Sequence, residues 1–208
     1  MVIFIKSLDK CDNMDISAAD LMVALFYSPG HTDMYFEEIK GITRLEKIVY
    51  LLLKEGGFED KLADSFDYEA YDYGPYSGVV YDLVEALENI GLLTIERKET
   101  TDFRENIDEI FLEYSEDQNP TLDKHIDIFK MDEEKGKKVW EEGVKNKFTE
   151  EDIRKIREIK ERYNGMELNE LLKYVYKKYP SSTKKSKILN EILGFGTKPD
   201  LTPFLREE

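Results

Sequence analysis

The stretch YDYGPYSGVVYDLVEALENIGLL, residues 71–93, decides how the rest of the chain is read. Val79, Val80, Leu83, Val84 and Leu87 recur at the spacing of an amphipathic helix. Gly74-Pro75 opens the segment as a helix start would, and Gly91 falls where a helix ends in the left-handed conformation. The opposite side of this helix is unusual. Between Tyr76 and Asn89 there is no Lys or Arg, whereas Asp82, Glu85 and Glu88 are present. Whatever this helix presents to solvent carries negative charge.

Upstream, Ser17 is a good N-cap for a helix over residues 18–27. Ser28-Pro29-Gly30 ends that helix, and residues 34–39 read as a short strand. A second helix follows, with Thr43 as its cap and Glu46 three residues on, the spacing of a capping box. Its apolar face is Leu45, Ile48, Val49, Leu52 and Leu53, and Gly56-Gly57 close it. Residues 66–73 alternate aromatic with acidic or small residues and read as extended. After the opening helix, residues 92–99 and 109–114 are expected to be strands joined by the polar stretch ETTDFRENID. This is the order of a modified winged helix-turn-helix. The predicted class is mainly α with a small β-wing (α+β), followed by a helical C-terminal region. A composition change around Asp117-Gln118-Asn119-Pro120 places the boundary, giving a winged-helix-like domain over 1–118 and a helical region over 119–208. Helices are expected there at about 132–146, 149–164, 167–179 and 183–193.

Composition narrows the function classes. Of 208 residues, 41% are hydrophobic and 12% aromatic, enough for a packed core. No apolar run is long enough to span a bilayer, the first residues do not resemble a signal peptide, and the single Cys11 rules out an internal disulfide framework. A cytoplasmic protein is expected. Residues 1–120 hold 10 basic and 27 acidic residues, a net of −17; residues 121–208 hold 20 and 18, a net of +2. Such an acidic N-terminal part repels a phosphate backbone unless a local basic patch overcomes it.

Candidate chemistry is sparse. His31, His125 and Cys11 are isolated, so neither a metal site nor nucleophilic catalysis is expected, and no cofactor. Gly194-Phe-Gly-Thr-Lys198 lacks the full glycine pattern of a phosphate loop. Glu96-Arg97-Lys98 with Asp82 or Asp72 upstream echoes the carboxylate–lysine pattern of metal-dependent nucleases, but ordinary solvated strand charges explain it better. Two surfaces stand out. KYVYKKYPSSTKKSK, residues 173–187, carries six lysines and no acid: Lys173, Lys177, Lys178, Lys184, Lys185 and Lys187. These are candidates for contact with nucleic acid or an acidic partner, together with Arg44 and Lys47 and the wing residues Arg97, Lys98 and Arg104. The bland reading makes the lysines the solvated face of a helix whose stripe is Leu171, Leu172, Val175, Tyr176 and Tyr179. The second surface is the tyrosine-rich entrance to the opening helix, which contains Tyr68, Tyr71, Tyr73, Tyr76 and Tyr81, with Tyr68, Tyr71, Tyr73 and Tyr76 as protein-interaction candidates. Packing between helix and strand is its alternative.

Three segments taken together resemble a known family. They are GITRLEKIVYLL (41–52), the Phe66…Tyr73-Gly74-Pro75-Tyr76 stretch and VVYDLVEALENIGLL (79–93). They resemble the Panacea domain of SocA-like antitoxins and, more closely, its uncharacterised YwgA-like relatives. The matching elements are Arg44-Leu45-Glu46-Lys47, Tyr73-Gly74-Pro75, and Leu83…Leu87…Gly91-Leu92, with LLKYVYKKYP (171–180) and Ser186 further on. The resemblance implies a modified winged-helix core acting through a protein partner in antitoxin, prophage or defence settings. It supplies no catalytic residues.

The sequence therefore predicts a non-enzymatic regulatory or protein-interaction module, antitoxin-like or defence-associated, with a protein partner, no membrane association and a homodimer as one arrangement. A DNA-binding transcriptional regulator is the alternative, using the 173–187 lysines, and a metal-dependent nuclease is the second alternative.

Overall fold

The computed structural model describes residues 15–72, 74–99, 125–186 and 189–193. Its organising element is helix α2, Ile42–Gly56, in which every residue from Arg44 to Leu53 is buried. A helix apolar on most of its circumference has to be surrounded. Around α2 lie α1 (Ala18–Tyr27), α3 (Glu59–Phe66) and strands β1 (Ile39–Lys40), β2 (Glu69–Tyr71) and β3 (Gly74–Tyr76). The helix α4 (Gly78–Asn89) leads into strand β4 (Leu93–Glu99). Strand β5 (His125–Met131) follows, then α5 (Glu133–Val139), α6 (Glu150–Asn164), α7 (Leu168–Lys178) and a short α8 (Leu189–Ile192). The fold is mainly helical with a small antiparallel sheet, an α+β arrangement.

The sheet runs β1–β5–β4, all antiparallel, with β4 and β5 paired from Leu93↔Met131 to Glu99↔His125. Its central strand thus comes from beyond residue 118. Helices α6 and α7 pack on α2, and one buried apolar cluster runs from Leu21, Leu45 and Leu52 to Ile156, Leu171 and Val175. The structure draws its core from both sides of that position. The strand expected at 109–114 lies outside the described residues.

Local chemistry explains most boundaries. Ser17 caps α1 in a reciprocal capping box with Asp20. Lys147 joins Asp20 at 2.8 Å; although burial pushes this carboxyl up, the bonds from Lys147 and Ser17 hold it below its ordinary range. Thr149 builds the same box with Asp152 at the start of α6. Helix α4 ends in a Schellman turn: the Leu92 N–H reaches the Leu87 carbonyl, the Gly91 N–H reaches Glu88, and Gly91 has φ +66°.

Three sequence expectations are corrected. Helix α2 begins after Gly41 without a side-chain cap, because Glu46 turns into the core instead of back to Thr43. Pro75 lies in strand β3, and α4 starts three residues later at Gly78. The strand expected over 34–39 is largely a turn, with Asp33 and Phe36 at positive φ and only Ile39–Lys40 paired.

Lys160 on α6 is fully buried and donates to the carbonyls of Ser28 (2.7 Å) and Phe26 (3.3 Å) at the end of α1. Burial lowers its pKa to about 7, with Glu37 nearby opposing the shift. Below about pH 7 this lysine is protonated in both the folded and the unfolded chain. Between there and its ordinary 10.5 only the unfolded chain keeps the proton, so folding stability rises with pH across that window. The contribution is up to about 1.4 kcal/mol per pH unit. Urea denaturation from pH 7 to 9 is expected to show this positive slope in the native chain and a clearly smaller one in Lys160→Met; equal slopes in both would exclude Lys160 as its source.

Candidate protein-interaction site

The motif Arg44-Leu45-Glu46-Lys47 on α2 places the tyrosine-rich entrance. The Arg44 guanidinium is buried against the end of α6, where it donates to the carbonyls of Tyr163 (3.3 Å), Asn164 (3.2 Å) and Met166, and to Lys40 O on its own side. These are carbonyls that a helix end leaves unsatisfied. Lys47 is wholly enclosed, with its ammonium 2.8 Å from the Pro75 carbonyl and 3.4 Å from Glu46 Oε2. Glu46 Oε1 accepts the Ser77 N–H at 3.1 Å. Burial raises the Glu46 pKa and lowers that of Lys47, each against the pull of the other. Both cations of the motif therefore face inward: Arg44 and Lys47 hold backbone, and neither is set out for a phosphate.

The Pro75 carbonyl and Ser77 N–H flank Tyr76, so the Glu46–Lys47 pair grips β3 and the entry to α4 at once. Ser77 Oγ completes the grip by donating to the Phe66 carbonyl. The β2–β3 hairpin, paired Glu69↔Tyr76, Ala70↔Pro75 and Tyr71↔Gly74, is thereby hung from the central helix. Gly74 has φ +89°, and a Cβ there would stand 2.9 Å from the Tyr176 ring. Only glycine satisfies both the backbone and the close approach of α7. Ser186 adds a bond from its Oγ to the Asp72 carbonyl at 2.9 Å.

The four tyrosines named from the sequence separate into different roles. Tyr68 turns inward, donating to the Glu46 carbonyl at 2.8 Å, and burial drives its pKa up. Tyr71 and Tyr76 lie outward with ring centroids 5.0 Å apart, and Tyr81 of α4 extends the row at 5.5 Å from Tyr76. Tyr71 is 48% exposed and Tyr81 40%. Tyr73 lies outside the described residues. Tyr81, part of the same tyrosine-rich stretch of the sequence, completes the row from the outer side of the helix. Gly78, Tyr81, Asp82 and Glu85 follow the i, i+3, i+4, i+7 spacing of one helix face, and Tyr81, Asp82 and Glu85 on it are exposed.

The lysine-rich segment is divided in the same way. Lys173, Lys177, Lys184 and Lys185 are exposed. Lys178, also exposed, joins Tyr163, Tyr174 and Tyr179 around the Glu55 carboxylate, with its ammonium 3.0 Å away. Burial opposes ionisation of Glu55, but these donors keep its pKa below the ordinary value. Lys187 and the wing residue Arg104 lie outside the described residues. Arg97 pairs with Asp127, Lys98 with Glu96, and Glu96 also with Lys130 at 2.6 Å, so the nuclease-like carboxylate sits among lysines on the sheet. Among the described residues no group of three or more His, Cys, Asp or Glu side chains is placed to hold a metal ion. No helix among them is long and apolar enough to cross a membrane. His31 is a half-exposed side chain 3.5 Å from Glu37. Cys11 and the 194–198 loop fall outside the described residues.

Compared with known proteins, the chain matches no family model, no curated protein and no solved structure.

The buried pair yields a stability prediction. Lys47→Met leaves Glu46 without its counter-charge and the Pro75 carbonyl without its donor, and is expected to cost about 3–5 kcal/mol in urea denaturation. The double variant Glu46→Gln/Lys47→Met keeps an acceptor for the Ser77 N–H and removes the orphaned charge, so it recovers part of that loss. A single variant as stable as the native chain would mean that the pair is dispensable.

Proposed function

We propose that this chain is a non-enzymatic regulatory or protein-interaction module built on a modified winged-helix core, antitoxin-like or defence-associated in setting. The observation that carries the reading is the outer face of α4, where Tyr81, Asp82, Glu85 and Glu88 stand exposed with no basic side chain among them. In a winged helix-turn-helix the helix before the wing reads the major groove, a task that needs donors and positive charge. The sheet order β1–β5–β4, with α2 after β1 and α4 before β4, supports that framework. The charge on α4 supports a use other than duplex reading. The likeness of the Arg-Leu-Glu-Lys, Gly-Pro-Tyr and Leu…Gly-Leu motifs to Panacea-type domains points the same way.

The test is a pair of measurements. Immobilised protein exposed to lysate of its native host is expected to retain a protein partner, and retention should fall in Tyr71→Ala/Tyr81→Ala. The pure protein is expected to bind duplex DNA only weakly. Absence of any partner, alongside tight duplex binding that falls with salt and is lost on reversing the charges of Lys173, Lys177, Lys184 and Lys185, would overturn the reading in favour of the DNA-binding regulator.

A further inference from the structure

Resting on the interaction-module reading, we propose that the row Tyr71–Tyr76–Tyr81, with Glu69, Asp82 and Glu85 beside it, docks an arginine-bearing segment of a partner protein. Three observations converge on this. The rings come from three elements, β2, β3 and α4, yet lie as one row with centroids 5.0 and 5.5 Å apart and neighbouring planes tilted by 36° and 42°. Their positions are fixed from below by the Glu46–Lys47 grip on Pro75 and Ser77, so little freedom is lost when a partner lands on them.

Among the described residues, the acids around the row stand without ion pairs, as do other exposed acids such as Asp64, Glu133 and Glu142, whereas several acids of the helices and sheet are paired. Glu151 and Glu158 share Arg154, Glu141 pairs with Lys145, Asp33 with Arg157, Asp152 with Lys61 and Asp127 with Arg97. Among the described residues, Glu69, Asp82 and Glu85 take part in no ion pair. From Leu62 to Glu96 the sequence has eight acids and neither Lys nor Arg, so no basic residue close by in the chain offsets the patch. The chemistry of the row then selects the visitor. A guanidinium stacks flat on a tyrosine face while its N–H fork meets a carboxylate, which a compact ammonium does less well. A phosphate or an acidic segment is repelled.

Binding of a short fluorescent arginine–glycine repeat peptide to the full chain, followed by anisotropy at low salt, tests the assignment. The arginine peptide is expected to bind more tightly than a lysine–glycine peptide of equal length. Tyr71→Ala/Tyr81→Ala keeps the net charge and is expected to weaken arginine-peptide binding about tenfold, the loss of two exposed cation–π contacts. Asp82→Asn/Glu85→Gln should weaken it further. Both tyrosines are about half exposed, and an unchanged urea midpoint confirms that their variants remain folded. Equal affinity for the two peptides, or a tyrosine variant that binds as the native chain does, would reduce the effect to bulk charge and overturn the proposal. No binding of the arginine peptide overturns it too. In that case, a host partner still retained in a Tyr71- and Tyr81-dependent way leaves the interaction-module reading standing by itself.

Discussion

Everything outward in this molecule depends on one inward constraint: α2 is enclosed on all sides, yet its sequence includes three charged residues in four positions. Burial of Arg44, Glu46 and Lys47 is tolerable only if each finds partners that the interior itself supplies. Arg44 takes the carbonyls at the end of α6, Lys47 takes Pro75, and Glu46 takes the Ser77 N–H. Each charge thus dictates where another piece of backbone must lie. A pair of this kind adds little net stability over apolar residues of the same volume, but the wrong arrangement leaves an orphaned charge and is heavily penalised. The pair therefore acts as a register pin for the hairpin and the start of α4.

The pin links the core to the surface. Pro75 and Ser77 are gripped from within while Tyr76, between them, faces the other way and carries the ring row from Tyr71 to Tyr81. Ser186 and the Tyr176 ring close on the same hairpin from the C-terminal side, which ties the surface to α7 as well as to α2. The exposed end of the lysine-rich segment, Lys184 and Lys185, directly precedes that contact. The acidic tyrosine face and the basic turn are thus neighbours, which gives the region a sharp charge gradient that a partner can use for orientation.

How much of this was legible in sequence varies with the kind of signal. The Ser17 cap of α1, the Thr149 cap of α6 and the stop at Gly91 followed from local rules, because those ends are closed by residues adjacent in the chain. The start of α4 was misplaced because Gly-Pro is a helix opener only when no strand competes for it; here Ala70 pairs opposite Pro75, and Glu46, 31 residues earlier, takes the Ser77 N–H. Glu46 misled too, since its spacing from Thr43 fits a capping box and only burial shows that it is needed elsewhere. Helix α3 was hidden by its brevity, with Leu62 and Phe66 as its only buried side chains. Strand β5 was hidden by its position beyond a composition break, and its partners are residues 93–99 and 39–40, far away in the chain.

The site shows the same division. Arg44 and Lys47 looked like surface cations because nothing local reveals that a helix is enclosed, and Tyr68 looked like its neighbours because alternation along an extended segment does not say which face is solvent. Arg44, Glu46, Lys47, Gly74 and Pro75 all prove to be framework: they are buried and set the backbone. The side chains that can meet another molecule, Tyr71, Tyr81, Asp82 and Glu85, lie between and beside them. A framework held by buried charges fixes where a surface row stands without fixing what the row is made of. Here the chemistry presented on that row is aromatic and acidic.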